Sequence, residues 1–276
     1  MVESIAELQK ICHNNARFTD RPWWYRLYRA TSIRFTRLIL LSGIKINPNH
    51  ITLLEVIMGI SGSLLLLSSN ILVLIIGFVF LFAAYLFDCM DGELARYYQE
   101  FSSAGSYLDE VGHAIVDPLL FTVLALTLYF QSPSTIVMIM GFLTAFLIRF
   151  IKANFQLSSF IFVKEVTSSP ETFLHLPETE KTSEKKTKSI LDIPILFANS
   201  IKHYVITVFI FMLAYTLDYL KGVNAVIPFF DYKLIVLVFY SLFLSAVALA
   251  QIIVNLKTIE QEKMSLFHKV QEAIRR

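Results

Sequence analysis

The sequence predicts an all-α, polytopic membrane protein with six transmembrane helices and an N-terminal interfacial amphipathic helix. Three observations carry that prediction. Only 17% of the 276 residues are charged and 55% are hydrophobic, whereas a soluble domain carries about 25% charged residues. Six apolar runs approach or exceed the roughly 20 residues that cross a hydrocarbon core. Lys and Arg gather in alternate connections between those runs, as the positive-inside rule describes. A formal net charge of +2 is too mild to point to nucleic acid, so the expected surroundings are membrane lipids. The two cysteines, Cys12 and Cys89, provide neither a disulfide framework nor a Cys-based zinc site.

The elements follow in order. Residues 1–47 form a cytoplasmic segment in which Trp23, Trp24 and Tyr25 alternate with Arg21, Arg26, Arg29, Arg34 and Arg37. That mixture predicts a helix lying in the headgroup layer, with its Arg face toward anionic lipid. Asn47-Pro48-Asn49-His50 breaks it, and Asn49 or Thr52 is expected to cap the first span. No cleavable signal peptide is read at the start, and the first long apolar run is expected to be an uncleaved span. The six runs cover about 51–68, 71–97, 106–130, 135–155, 195–220 and 232–254 within a transmembrane domain of 48–255. A hairpin turn through Gln99–Ser103 joins the second and third. A charged cytoplasmic loop fills about 156–192, and its Glu178–Lys188 stretch has no apolar period, which predicts mobility. Residues 256–276 read as a cytoplasmic helix, with Ile259, Met264, Phe267 and Val270 at loosely helical spacing. The even span count and the positive-inside pattern put both termini in the cytoplasm.

The chemistry concentrates in the second and third runs. Asp88 and Asp91 are three residues apart, and Asp109 and His113 are four apart, so each pair shares one helix face. An ionisable group inside a bilayer costs about 2.5–3.5 kcal/mol on insertion scales. Several together need a compensating partner, and a hard divalent cation with oxygen ligands suits three carboxylates. Gly92, Ala95 and Gly105 keep side-chain bulk low beside the acids, leaving room for a phosphate. Arg96 can offset phosphate charge.

Read together, Asp88-x2-Asp91-Gly92-x2-Ala95-Arg96-x8-Gly105-x3-Asp109-x3-His113 resembles the signature of the CDP-alcohol phosphotransferase family. That signature is Asp-x2-Asp-Gly-x2-Ala-Arg-x8-Gly-x3-Asp-x3-Asp. Pro48, Asn49 and Thr52 are similar to a short motif that precedes the first span in such enzymes. The resemblance implies a transferase that moves a substituted phosphate from a CDP-linked alcohol donor to an alcohol acceptor, lipid or small and polar, and releases CMP. It implies Mg²⁺ or Mn²⁺, two ions, held by Asp88, Asp91 and Asp109, with His113 a further ligand or the general base beside Asp109. It places Gly92, Ala95, Arg96 and Gly105 along the CDP site, and it implies a homodimer. The departure is His113, where the family has aspartate. Imidazole can serve as base or ligand, and Asp117, one turn on, can orient it or replace the missing carboxylate.

Other candidates stand outside the motif. Arg149, late in the fourth run, can bind an anionic acceptor or lipid phosphate, or it can snorkel to the interface with Lys152. Lys202 and His203 face either the same cavity or the interface. Glu93 and Glu110 flank the motif acids on other helix faces and are not expected to be ligands. A non-catalytic relative that binds a CDP-linked lipid, and an ion-coupled transporter, are the competing functions. A transporter would spread its acids over several spans, whereas these acids sit in one hairpin. The expected site lies toward the cytoplasm of a prokaryotic plasma membrane or the endoplasmic reticulum.

Overall fold

A computed structural model of the chain describes residues 2–13, 23–168, 204–223 and 231–274, which are helices and short connections with no strand among them. In order these are α1 (Ile5–His13), α2 (Trp23–Leu41), α3 (Pro48–Leu65), α4 (Ile71–Tyr98), α5 (Ser103–Gln131), α6 (Thr135–Ser168), α7 (Tyr204–Val223) and α8 (Tyr232–Ile274). Among the described residues, four stretches are long and apolar enough to cross a membrane: Ile71–Tyr98, Ser103–Gln131, Thr135–Asn154 and Tyr232–Leu256. The chain therefore reads as a multi-pass membrane protein. The first expected span corresponds to α3, only 18 residues long and carrying Asn49, His50 and Glu55. The fifth corresponds to α7, whose expected start lies outside the described residues.

Lipid is the solvent that suits the exposed faces. Leu72, Ile75, Ile76 and Val79 of α4 point outward, as do Ile136, Ile139, Phe142 and Phe146 of α6 and Leu242 and Leu249 of α8. A contiguous apolar exterior of this kind would be a liability in water. Inside, Phe121, Phe211 and Tyr240 meet at ring-centroid distances of 5.1–6.3 Å. Leu74, Phe78 and Leu81 precede Asp88 on α4, while Leu120, Phe121 and Leu124 follow His113 on α5. The aromatic core and the acidic residues thus occupy opposite halves of the bundle. Polar contacts tie the helices where side chains would otherwise lack water. Gln251 and Asn255 of α8 donate to the carbonyls of Ile151 and Asn154 on α6 at 3.2 and 3.1 Å, the kind of interhelical bond that substitutes for hydration in lipid.

Helices α3 and α4 cross at a pair of glycines. A Cβ on Gly62 would lie 2.9 Å from the Gly77 carbonyl oxygen, and one on Gly77 would lie 3.1 Å from that of Gly62. Small residues here let the two backbones approach, and that approach brings the α3 side chains against the α4–α5 hairpin.

Helix ends differ from expectation in two places. The cap of α3 is Asn47, whose side chain accepts from the Asn49 N–H at 2.9 Å, with Pro48 at the first helical position. Neither Asn49 nor Thr52 caps it. Pro48 has no N–H to satisfy and a φ suited to a helix start, so the helix begins earlier than the apolar run. Helix α6 continues to Ser168, so residues 156–168 are helical where a loop was expected. Glu178–Lys188 lies outside the described residues. Helix α8 runs unbroken through the expected cytoplasmic helix to Ile274, and side chains beyond Leu256 are outside the description.

The hairpin turn comprises residues 99–102. Gln99 adopts φ +55°, and the N–H groups of Gln99 and Glu100 donate to the carbonyls of Arg96 and Ala95 at 3.4 and 3.0 Å, the Schellman pattern. On the other side Ser102 accepts from the Gly105 N–H at 2.9 Å and starts α5. A left-handed conformation costs a side-chain-bearing residue about 1–2 kcal/mol. Gln99→Gly is therefore expected to raise stability by about 1 kcal/mol, seen as a higher unfolding midpoint in detergent.

Candidate cation site in the acidic helix hairpin

Helices α3, α4 and α5 bring four potential ligands together. Glu55, Asp88, Asp109 and His113 each present one ligand atom, and these atoms all lie within 4.8 Å of one another. His113 sits among the acids. Its Nε2 is 3.5 Å from Asp88 Oδ1 and 3.5 Å from Asp109 Oδ1, and its Nδ1 is 3.9 Å from Asp117 Oδ1. The last distance is an ion-pair separation, too long for a hydrogen bond. Glu55, Asp88 and His113 line a small pocket with Ala84, Tyr85 and Val116.

The donor set suits a hard cation. It offers three carboxylates and one imidazole, and two oxygens of the group, Glu55 Oε2 and Asp109 Oδ1, are buried without a hydrogen-bond partner. Oxygen-rich sites of this composition hold Mg²⁺ or Mn²⁺. Asp91, expected in the same set, is turned instead toward α3. Its Oδ2 accepts from Thr52 Oγ1 at 2.7 Å, and its Oδ1 accepts from the Gly92 N–H. Thr52 thereby links the start of α3 to the motif.

Among the residues expected to line a nucleotide site, Gly92 and Arg96 are adjacent. A Cβ on Gly92 would stand 3.1 Å from the Arg96 guanidinium, so the missing side chain is what admits that group. Arg96 Nε donates to the Cys12 carbonyl of α1. Ala95 follows on the same helix, half-buried. A Cβ on Gly105 would lie 2.7 Å from Asn49 Oδ1, so the start of α5 is packed onto the start of α3. Arg149 and Lys152 of α6 reach Glu110 of α5 at 3.5 and 3.4 Å, outside the acidic group. Arg149 keeps one buried nitrogen, Nη1, without a hydrogen-bond partner. Lys202 and His203 lie outside the described residues.

Two residues had no role in the sequence reading. One is Glu55. The only signal it gave was a carboxylate in an apolar run. The other is Glu93, which is fully buried and is met by donors from two helices, α1 and α2. His13 Nε2 stands 2.8 Å from it, Thr36 Oγ1 donates at 2.7 Å, Ser32 Oγ also donates, and Arg29 Nη1 lies at 3.4 Å. Arg29 also donates to the Cys89 carbonyl at 3.2 Å. This cluster clasps α1 and α2 against α4 on the face next to Asp88 and Asp91. Burial pushes the Cys12 thiol at the same contact up to about 11, leaving it an inert packing group.

Helix α2 accordingly has two kinds of surface. Ser32, Ile33, Thr36 and Leu40 are buried against the bundle, and Arg29 turns inward to Glu93. Leu27, Phe35 and Leu38 are exposed, interspersed with the exposed Arg26 and Arg34.

Residues 45–176, which hold α3, α4, α5 and α6, match the model for CDP-alcohol phosphatidyltransferases. No curated protein matches the chain.

Proposed function

We propose that this chain, which carries a CDP-alcohol phosphatidyltransferase domain over residues 45–176, transfers a substituted phosphate from a CDP-linked alcohol to an acceptor hydroxyl at the α3–α5 site. The family implies a phosphate-group transferase of lipid synthesis. The observation that carries the assignment to this site is the convergence of Asp88, Asp109 and His113 in one group of potential ligands. In the reaction, the acceptor oxygen bonds to the distal phosphorus of the donor while the bond from that phosphorus to the bridging oxygen breaks. CMP leaves with the bridging oxygen, and the acceptor proton passes to a base.

Asp88 and Asp109, with His113 beside them, would hold the divalent cations of this reading, and Asp91, three residues on from Asp88 along α4, would supply a further carboxylate. Bound there, Mg²⁺ or Mn²⁺ neutralises the diphosphate and stabilises attacking and leaving oxygens. Thr52 fixes the Asp91 carboxylate through its 2.7 Å bond. His113 takes the acceptor proton, with Asp109 and Asp117 on either side to stabilise the imidazolium. Arg96, held from behind by α1 and admitted against the α4 backbone by Gly92, meets the nucleotide phosphate. Gly105 and Ala95 complete the CDP-binding face. Arg149, with its unpartnered Nη1, contacts an anionic acceptor or a lipid phosphate.

The wider setting belongs to the same reading. The spans at α3 and α7 complete six crossings, both termini and the acidic half of the bundle face the cytoplasm, and α2 lies at the membrane surface. The chain works as a homodimer.

A panel of CDP-alcohols and acceptors tests this, with CMP release measured on purified protein in nanodiscs with Mg²⁺ or Mn²⁺. One or more donors are expected to give CMP with wild-type protein and none with Asp91→Ala. CMP release that survives Asp91→Ala would remove the motif from the chemistry.

A further inference from the structure

We infer that Glu55 is a ligand of the cation site and supplies the carboxylate that the motif lacks at His113. The inference rests on the transferase reading above and adds to it a residue outside the motif, on a different helix.

Glu55 is only 5% exposed, yet its Oε2 has no hydrogen-bond partner. A buried carboxylate without donors is strongly disfavoured, and natural structures rarely keep one without cause. Its contrast with Glu93 is direct. That carboxylate is equally buried and collects hydroxyl, imidazole and guanidinium partners, which is how a structural glutamate is satisfied. Glu55 instead points its ligand atom into the group formed by Asp88, Asp109 and His113.

The packing of α3 delivers it there. Thr52, Glu55, Val56 and Gly59 recur at helical spacing along the side of α3 that faces the hairpin. Thr52 bonds Asp91. A Cβ on Gly112 would come within 2.6 Å of Val56, and one on Gly59 within 2.8 Å of Val116. Glycine on each side of the interface thus lets α3 approach α5 closely at the turn that carries His113.

Charge counting gives the reason. The family signature places four aspartates in the hairpin, and this chain has three plus His113. With Glu55 the hairpin and α3 together again supply four carboxylates, of which Glu55, Asp88 and Asp109 converge beside His113 while Asp91 bonds Thr52. Glu55 thus restores the negative charge lost at His113, which is released to act on protons.

Mn²⁺ binding to the full-length protein in detergent, followed by the electron paramagnetic resonance of free Mn²⁺, tests this without substrate. Glu55→Gln is expected to weaken Mn²⁺ binding by about 10-fold or more, on the order of losing a metal-orienting group. Glu55→Asp is expected to fall between the two. The double variant Glu55→Gln/His113→Asp is expected to recover affinity toward wild type, because it moves the carboxylate back into the hairpin. Without Mn²⁺, Glu55→Gln is expected to melt no lower than wild type, since it removes an unpartnered buried charge. Wild-type Mn²⁺ affinity in Glu55→Gln, or a double variant no better than Glu55→Gln alone, overturns the inference. Asp88→Asn separates it from the underlying reading. If Asp88→Asn loses Mn²⁺ while Glu55→Gln keeps it, only the role of Glu55 fails. If neither variant loses Mn²⁺, the hairpin is not the cation site.

Discussion

Asp88→Asn is expected to reduce CMP release by about 10²–10³-fold, the range for removing one preorganised electrostatic group from an active site. The expectation follows from where Asp88 sits. It is the one α4 carboxylate within the group shared by α3 and α5, it lies 3.5 Å from His113, and it lines the pocket. Asparagine preserves the shape and one acceptor oxygen but removes the charge. The loss should therefore appear in kcat at saturating Mg²⁺ and donor, with the unfolding midpoint unchanged or slightly raised. A variant that merely misfolds would instead lose its midpoint. Steady-state CMP release and thermal unfolding, measured on one preparation, separate the two.

Glu93→Ala is expected to act in the opposite manner, through stability first. Removing one partner of a buried charge cluster costs about 3–5 kcal/mol, because the donors left behind are buried and unpaired. Here they are His13, Arg29, Ser32 and Thr36, from α1 and α2. The variant should unfold earlier in denaturant, and α1 and α2 should become accessible to protease before the bundle does. Glu93→Gln keeps one acceptor oxygen, for either Ser32 or Thr36, which bond different oxygens of Glu93, so its loss should be smaller. Activity is expected to fall as well, since the Cys12 carbonyl that holds Arg96 sits on the released helix. A Glu93→Ala protein with wild-type stability would show that the clasp contributes nothing to holding α1 and α2.

Both expectations concern residues whose legibility in the sequence differed sharply. Asp88, Asp109 and His113 could be paired without a structure because the motif is local. Helical spacing puts Asp109 and His113 on one face, and a short turn brings the two helices together. The turn expected through Gln99–Ser103 was readable for the same reason, and it ends at Ser102, the cap of α5. Glu55 was not, because it lies 33 positions before Asp88 and the helix crossing that joins them depends on Gly62 and Gly77. Nothing local announces such a crossing, although a carboxylate in an apolar run was a sign available in principle. Glu93 was read only as flanking the motif acids on another helix face, and its clasp to α1 and α2 was not foreseen. Its partners come from residues 13–36, and no periodicity links those positions to α4.

Boundaries failed where polarity was mistaken for irregular structure. The fourth run was expected to end near residue 155 and to give way to a charged loop, yet α6 continues to Ser168. Polar side chains at a membrane surface are compatible with an unbroken helix, and the backbone has no reason to stop without a breaker. The reverse happened at α3. The apolar run begins at Ile51, but Asn47 and Pro48 start the helix, and Pro at the first position was the better guide. Arg29 marks the limit of reading charge as surface. It was grouped with four other arginines facing lipid, and it turns inward to Glu93 and the Cys89 carbonyl.

The central claim is that the α3–α5 acids carry out cation-dependent transfer. The most direct test follows both products from a doubly labelled CDP-alcohol that supports release, in nanodiscs, with Mg²⁺ and then with excess EDTA. With Mg²⁺, CMP and the phosphodiester of the acceptor should form in equal amounts. Both should stop in EDTA and resume when Mg²⁺ is restored. CMP formed at the same rate in EDTA, or formed with water in place of the acceptor, would contradict the claim.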